Sequence, residues 1–177
     1  MINVKFIEKY AEPLRVKRNA IITNFGYKEH FLYYIQEGLI RKHSYDEEGN
    51  EFTFDFISEG NFVSSYESYI LETPSKFIVE AATDCVLLRL SKDMRDDIIM
   101  SAPEEIDSFI RMIELIFLNN LKRKVLFLKS SKFIQFKMLL EDKPYLFENV
   151  QKQHIASYLG VAPQTISKWF RTYYEEA

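Results

Sequence analysis

The chain has 177 residues, with 23 Lys and Arg against 26 Asp and Glu and a formal net charge of −3. That length allows one domain or two small ones, and 47% hydrophobic residues exclude a disordered chain. A single cysteine excludes a disulfide framework, an iron–sulfur cluster on the chain's own thiolates and a Cys-rich zinc site, so a reducing, cytoplasmic location is expected.

In chain order, Lys5, Glu8 and Lys9 interrupt the N-terminal apolar residues, which excludes a secretory signal. No apolar run approaches ~18 residues, so no membrane span is expected. Five scattered glycines cannot build a phosphate-cradling loop. Strands are predicted over 31–35, 39–45, 52–57, 77–82 and 85–90. The turn Asp46-Glu47-Glu48-Gly49-Asn50 is a hairpin signal, and Phe52, Phe54 and Phe56 alternate with Thr53, Asp55 and Ile57. Short strands at this spacing point to a barrel or sandwich, with a simple antiparallel sheet plus helices as the alternative. Cys85 falls in an apolar strand and reads as an inert core residue. His43 reads as a surface histidine.

Near residue 91 the texture changes. Ser91 is a candidate N-cap for a helix over 92–100. Pro103, Glu104 and Glu105 suit the opening turn of another. From Ile106 apolar residues recur at helical spacing: Phe109, Ile110, Ile113, Ile116, Phe117, Leu121, Val125 and Leu128. Such a helix is about 36 Å long and must be covered along its length, by a second copy of the chain or by its own barrel. Asn119 and Asn120 either fix the register of such a pair or face water. Ser130-Ser131 reads as a hinge and cap, followed by a helix over 132–140 that Pro144 ends.

Residues 151–170 fit a bihelical unit. Ala156 is small where two helices cross, and Gly160 four residues later suits a left-handed helix end. Ile155, Leu159, Val161, Ile166 and Trp169 give each helix one apolar stripe, and Pro163 suits the first turn of the second. The reading is a DNA-binding helix-turn-helix, with a plain helical hairpin as the alternative. Gln164, Thr165, Ser167 and Lys168 are then candidates for base contacts, and Lys152, Gln153, His154 and Arg171 for phosphates. Residues 130–177 hold six Lys and Arg against five Asp and Glu, so this part is only mildly basic.

This order of parts resembles the Crp/Fnr family of bacterial transcription regulators. The resemblance is carried by Leu32-Tyr33-Tyr34-Ile35-Gln36-Glu37-Gly38, by Ile57-Ser58-Glu59-Gly60-Asn61-Phe62 and by the bihelical segment. It covers nearly the whole chain and looks most like a short, wing-poor branch common in Bacteroidetes-type genomes, since only eight residues follow Trp169. It implies an α+β fold: an N-terminal double-stranded β-helix (jelly-roll) effector domain over 1–103, a long dimerisation helix over 104–129 and a helix-turn-helix domain over 130–177. It also implies a homodimer through residues 106–128, double-stranded DNA with a near-palindromic operator, RNA polymerase as a further partner, and no enzyme activity or cofactor. In the family's cyclic-AMP binders a Glu binds the ribose and an Arg the cyclic phosphate. Here those positions fall on Ser65 and Ser75, so the effector is expected to be something other than cyclic AMP. The corresponding pocket residues are Ser64, Ser65, Tyr66, Ser75 and Lys76; Ser75 and Lys76 either hold another anion or form an ordinary turn. The family's oxygen-sensing branch needs a cysteine cluster, and Cys85 is alone. Two alternatives remain: a regulator with a vestigial pocket, and a cupin-like small-molecule binder. The second is disfavoured because His30, His43 and His154 are far apart in sequence.

Overall fold

The structure, a computed structural model, describes residues 4–101 and 106–176. A short helix α1 (Val4–Tyr10) precedes β1 (Glu12–Val16), β2 (Ile21–Thr23), β3 (Phe31–Glu37), β4 (Leu39–Tyr45), β5 (Glu51–Ser58) and β6 (Phe62–Val63). The one-and-a-half-turn α2 (Tyr66–Leu71) follows, then β7 (Ile78–Ala81) and β8 (Cys85–Ser91). The strands pair antiparallel into two four-stranded sheets, ordered β1-β8-β3-β6 and β2-β7-β4-β5. Sequence neighbours β3 and β4 lie in different sheets, so the chain winds as a jelly roll. Gly38 makes that crossing possible. Its φ is +99°, and a Cβ there would lie 2.5 Å from the Asp84 carbonyl oxygen.

The space between the sheets is filled by Tyr33, Ile35, Ile40, Val63, Val79, Ala81, Cys85 and Leu87. Period-two alternation puts Tyr33 and Ile35 inward, while Leu32 and Tyr34 turn outward onto Ile7, Tyr69, Leu88 and Leu90 beneath the flanking helices. The hairpin at 46–50 forms as expected: the Asp46 carboxylate accepts from the backbone N–H groups of Glu48 and Asn50 at 3.0 and 2.8 Å. The alternation of β5 breaks partway, and one expectation fails here. Phe56 is buried, but Phe52 and Phe54 stay exposed, because β5 is an edge strand and its register against β4 shifts between Lys42 and His43. His43 is not on the surface; it is buried on the outer face of β4.

Beyond the roll, α3 (Lys92–Ser101) is capped by Ser91, whose Oγ accepts from Met94 N at 3.2 Å. Helix α4 (Ile106–Lys129) runs 24 residues. Pro103, Glu104, Glu105 and the side chain of Phe109 lie outside what the structure describes. Helix α5 (Lys132–Asp142) is capped by Ser131, and the buried Gln135 ties the α4–α5 corner by donating to the carbonyls of Phe127 and Ser130 at 2.7 and 2.9 Å. Then come α6 (Tyr145–Asn149), α7 (Lys152–Leu159) and α8 (Pro163–Glu176). These helices share one hydrophobic cluster with Leu39, Phe56 and Ala82 of the roll, so the C-terminal unit is seated on the outer face of the second sheet.

Candidate functional site

The two helices α7 and α8 join through Gly160, whose φ of +65° places it in the left-handed region. The Val161 N–H reaches back to the Ala156 carbonyl at 3.0 Å and closes the helix end. Ile155, Ala156, Leu159 and Ile166 are buried between the helices. Trp169 packs on Phe133 and Phe136 of α5, with ring centroids 5.6 and 5.5 Å away. This geometry is a helix-turn-helix. Helix α8 buries its apolar face and turns Gln164, Ser167, Lys168 and Arg171 to solvent, with Thr165 half-buried beside them. Positions 164, 167, 168 and 171 share one helical face. Lys152 and Gln153 are exposed at the start of α7, and the Lys152 amine donates to Ser167 Oγ at 3.0 Å.

His154 is placed differently from its neighbours. Its Nδ1 lies 2.6 Å from Nη1 of the buried Arg41, on β4. A guanidinium only donates, so Nδ1 accepts and the imidazole is neutral. Burial, then the Arg41 charge, pushes the His154 pKa down. The same guanidinium meets Glu51 and Glu80, both at 2.7 Å, and donates to Thr53 Oγ1. His43 faces the same two carboxylates at 3.1 and 2.9 Å. Contact with His43, with Arg41 behind it, holds Glu80 down to about 2 against the effect of burial. Burial is the largest single influence on Glu51 and raises it, but the hydrogen bond and charge of Arg41, with His43 and His154, together outweigh it and Glu51 is also lowered. The fold thus brings His43 and His154 around one carboxylate, although they are 111 positions apart in sequence. Arg41 fills the centre of the group, which lies on the outer face of β4 and not inside the roll.

More contacts seat α7 on β5. The Thr53 N–H donates to Ser157 Oγ at 2.8 Å, and Tyr158 meets Phe56 and Phe127 edge to face, with both centroid distances 5.4 Å. Sequence reasoning missed this contact network. Its one signal was Arg41 and His43 recurring two apart in one strand, which puts both on one face.

Of the residues expected at the effector pocket, Ser65 and Ser75 meet, and Lys76 is paired elsewhere. Ser65 and Ser75 are 1% and 2% exposed, and Ser75 Oγ lies 2.7 Å from both Ser65 Oγ and the Phe77 carbonyl oxygen. Each hydroxyl therefore has a partner within the protein. Ser64 Oγ donates to the Phe31 carbonyl at 3.0 Å. Tyr66 is exposed, and the Lys76 amine is held by Glu67 at 2.6 Å. Among the described residues no helix is long and apolar enough to cross a membrane, and no three His, Cys, Asp or Glu side chains converge as a metal site requires.

The cyclic nucleotide-binding domain family model matches residues 13–102, half of the chain. No curated protein sequence matches it. Among solved structures, the c-di-GMP-responsive global regulator CLP of Xanthomonas campestris is 14% identical, with a TM-score of 0.76 over 98% of this chain and 91% of that one. FixK2 of Bradyrhizobium japonicum is 13% identical, with a TM-score of 0.75 over 94% and 85%. The Thermus thermophilus catabolite activator protein is 18% identical, with a TM-score of 0.57 over 98% and 83%. The chain therefore belongs to the cyclic nucleotide-binding domain family, and its fold of roll, long helix and helix-turn-helix is shared with these regulators.

Proposed function

We propose that this chain is a dimeric, sequence-specific DNA-binding transcription regulator acting in the cytoplasm. Its effector domain spans 1–103, its dimerisation helix 104–129 and its DNA-binding domain 130–177. The observation that carries this reading is the solvent-facing polar row Gln164, Ser167, Lys168 and Arg171 on a helix whose opposite face is locked into a core. Gln164 and Lys168 have the chemistry to read adenine and guanine edges, with Thr165 and Ser167 beside them; Lys152, Gln153 and Arg171 are set to hold phosphates. His154 takes the same role only when α7 leaves its seat on Arg41.

Dimerism is supported by α4. Ile110, Leu121 and Val125 are uncovered in the single chain, and Phe117 and Leu128 are 65% and 79% exposed. An apolar face of that extent on a soluble helix calls for a partner, and a second copy meets it isologously. Two heads related by a twofold axis read a near-palindromic operator, with RNA polymerase as a further partner. Control is a population shift: an effector in the roll binds one arrangement of heads better than another. The paired Ser65 and Ser75 hydroxyls favour a second reading, in which the cyclic-phosphate seat is vestigial.

Lys168→Ala, measured by fluorescence anisotropy on a selected operator and on random DNA, tests the DNA reading. Operator binding is expected to weaken about tenfold or more, and random binding much less. Equal losses make Lys168 a phosphate contact only. Calorimetry with cyclic AMP is expected to show no saturable heat.

A further inference from the structure

A cavity of about 220 Å³ opens between the roll and α4, lined by Lys42, Phe62, Ser64, Ile113, Ile116 and Asn120 among others. Lys42 reaches it because β4 alternates: Ile40 and Lys42 point inward while Leu39, Arg41 and His43 point outward. Its amine sits over the Phe77 ring, 5.5 Å from the centroid, and has no ion-pair partner among the described residues. Asp55 stands directly opposite Lys42 in the β4–β5 ladder. The Asp55 carboxylate, however, is bonded to Arg123 of α4, which also donates to Asn120 Oδ1 at 2.8 Å. Two cations thus share one carboxylate. The next one, Glu29, is already occupied by Thr23, by Tyr33 and by the backbone N–H groups of His30 and Phe31. A cation placed inside a fold without its counter-charge loses hydration for nothing in return. Burial accordingly pushes the Lys42 pKa down, with Arg123 adding to the effect against Asp55.

We propose that this cavity binds a small organic anion, with Lys42 as the cation that holds its carboxylate and Ile113 and Ile116 against its apolar body. The anion completes the charge balance that Asp55 leaves short. The cavity lies below the ~300–1,000 Å³ usual for ligand pockets, which selects a molecule smaller than a nucleotide. The anchoring strand is β4 rather than the Ser64–Lys76 segment, whose serines are already paired. Because the ligand touches α4, this deepens the effector reading above and rests on it for any effect on DNA.

The test is calorimetric titration of the full-length, DNA-free protein with octanoate and with benzoate, against octanamide and benzamide. At least one acid is expected to bind once per chain, and its amide at least tenfold more weakly. Lys42→Met, which keeps the aliphatic stem, is expected to weaken the acid about tenfold or more, as losing a charge-assisted hydrogen bond does. Lys17→Met, outside the cavity, is expected to change nothing. In the wild type the bound acid is also expected to protect Lys42 from reductive methylation, a readout that survives a misfolded variant. Neither acid binding, amides binding as well as acids, or Lys42 methylated equally with and without acid overturns the proposal. The titrations contain no DNA. Failure of the DNA reading therefore shows as lost operator binding with the titration intact, whereas a failed titration with intact operator binding overturns this site alone.

Discussion

Two glycines show how differently one residue type is used. Gly38 and Gly160 both have positive φ, so both are strained by any L side chain. Gly160 has open surroundings, since a Cβ there would meet only the Lys132 amine, at an ordinary 3.6 Å. Gly38 is enclosed: its Cβ would also lie 2.7 Å from Cys85 Sγ. Gly160→Ala therefore carries the backbone term alone, about 1 kcal/mol, or roughly 2–4 °C in Tm. Gly38→Ala adds a clash with rigid backbone and is expected to cost about 3 kcal/mol, roughly 6–12 °C. Thermal unfolding followed by circular dichroism separates them, and equal shifts contradict the packing account of Gly38. At this scale the sequence was legible where a residue type is tied to one backbone state. Gly160, Pro163, the Ser91 and Ser131 caps and the acidic hairpin were readable for that reason. Lys42, Arg41 and His43 were not, because what they do depends on which carboxylates the fold brings near, and Glu51 and Glu80 arrive from other strands.

Elements with a long periodic signal were readable, and short ones were not. The 24-residue stripe of α4 carries enough repeats to reveal its period, and β3, β7 and β8 show as apolar runs between turns; α1, α2, α6, β1 and β2 carry neither signal, and only tertiary packing fixes them. What α4 does with its stripe is testable directly. Leu121 is exposed in the single chain and lies midway along the apolar face. Leu121→Glu places an unpaired charge in the proposed seam, and light scattering is expected to fall from twice the chain mass to the chain mass. An unchanged dimer removes α4 from the interface. The α7–β5 seat is equally an element-scale object, and His154 gives it a pH dependence. The seated ring is held neutral, with its pKa below 6.5, amid Arg41, His43, Glu51 and Glu80. As pH falls through 6.5, the unseated ring binds a proton that the seated ring resists, so seating weakens; above 6.5 both are neutral and this residue contributes no slope. The Thr53 amide reports it, because its bond to Ser157 exists only in the seated form. From pH 7 to 5.5 its exchange, corrected for the intrinsic rate, is expected to accelerate. His154→Gln should abolish that acceleration, and persistence in the variant assigns it elsewhere.

At the scale of the whole molecule the charge balance runs against the proposed DNA-binding role unless that binding rests on few contacts. The chain carries −3 overall, yet the stretch 122–137 holds six Lys and Arg and no Asp or Glu, and the exposed face of α8 is polar and basic. Binding must then depend on a few cations presented twice rather than on a broad positive field. Each head offers Lys152 and Arg171 to phosphates; a dimer offers these in duplicate, about four contacts. Counterion release gives a slope of about −0.9 per neutralised phosphate, so the logarithm of the operator association constant is expected to fall against the logarithm of salt concentration with a slope of about −3.6. A single head engaging alone gives about half that. Footprinting supplies the geometric counterpart: two protected half-sites, about 34 Å apart, on one face of the duplex. A slope of about −1.8 with one protected half-site is the signature of a monomer, and it would remove the twofold arrangement on which the proposed route of control through α4 depends.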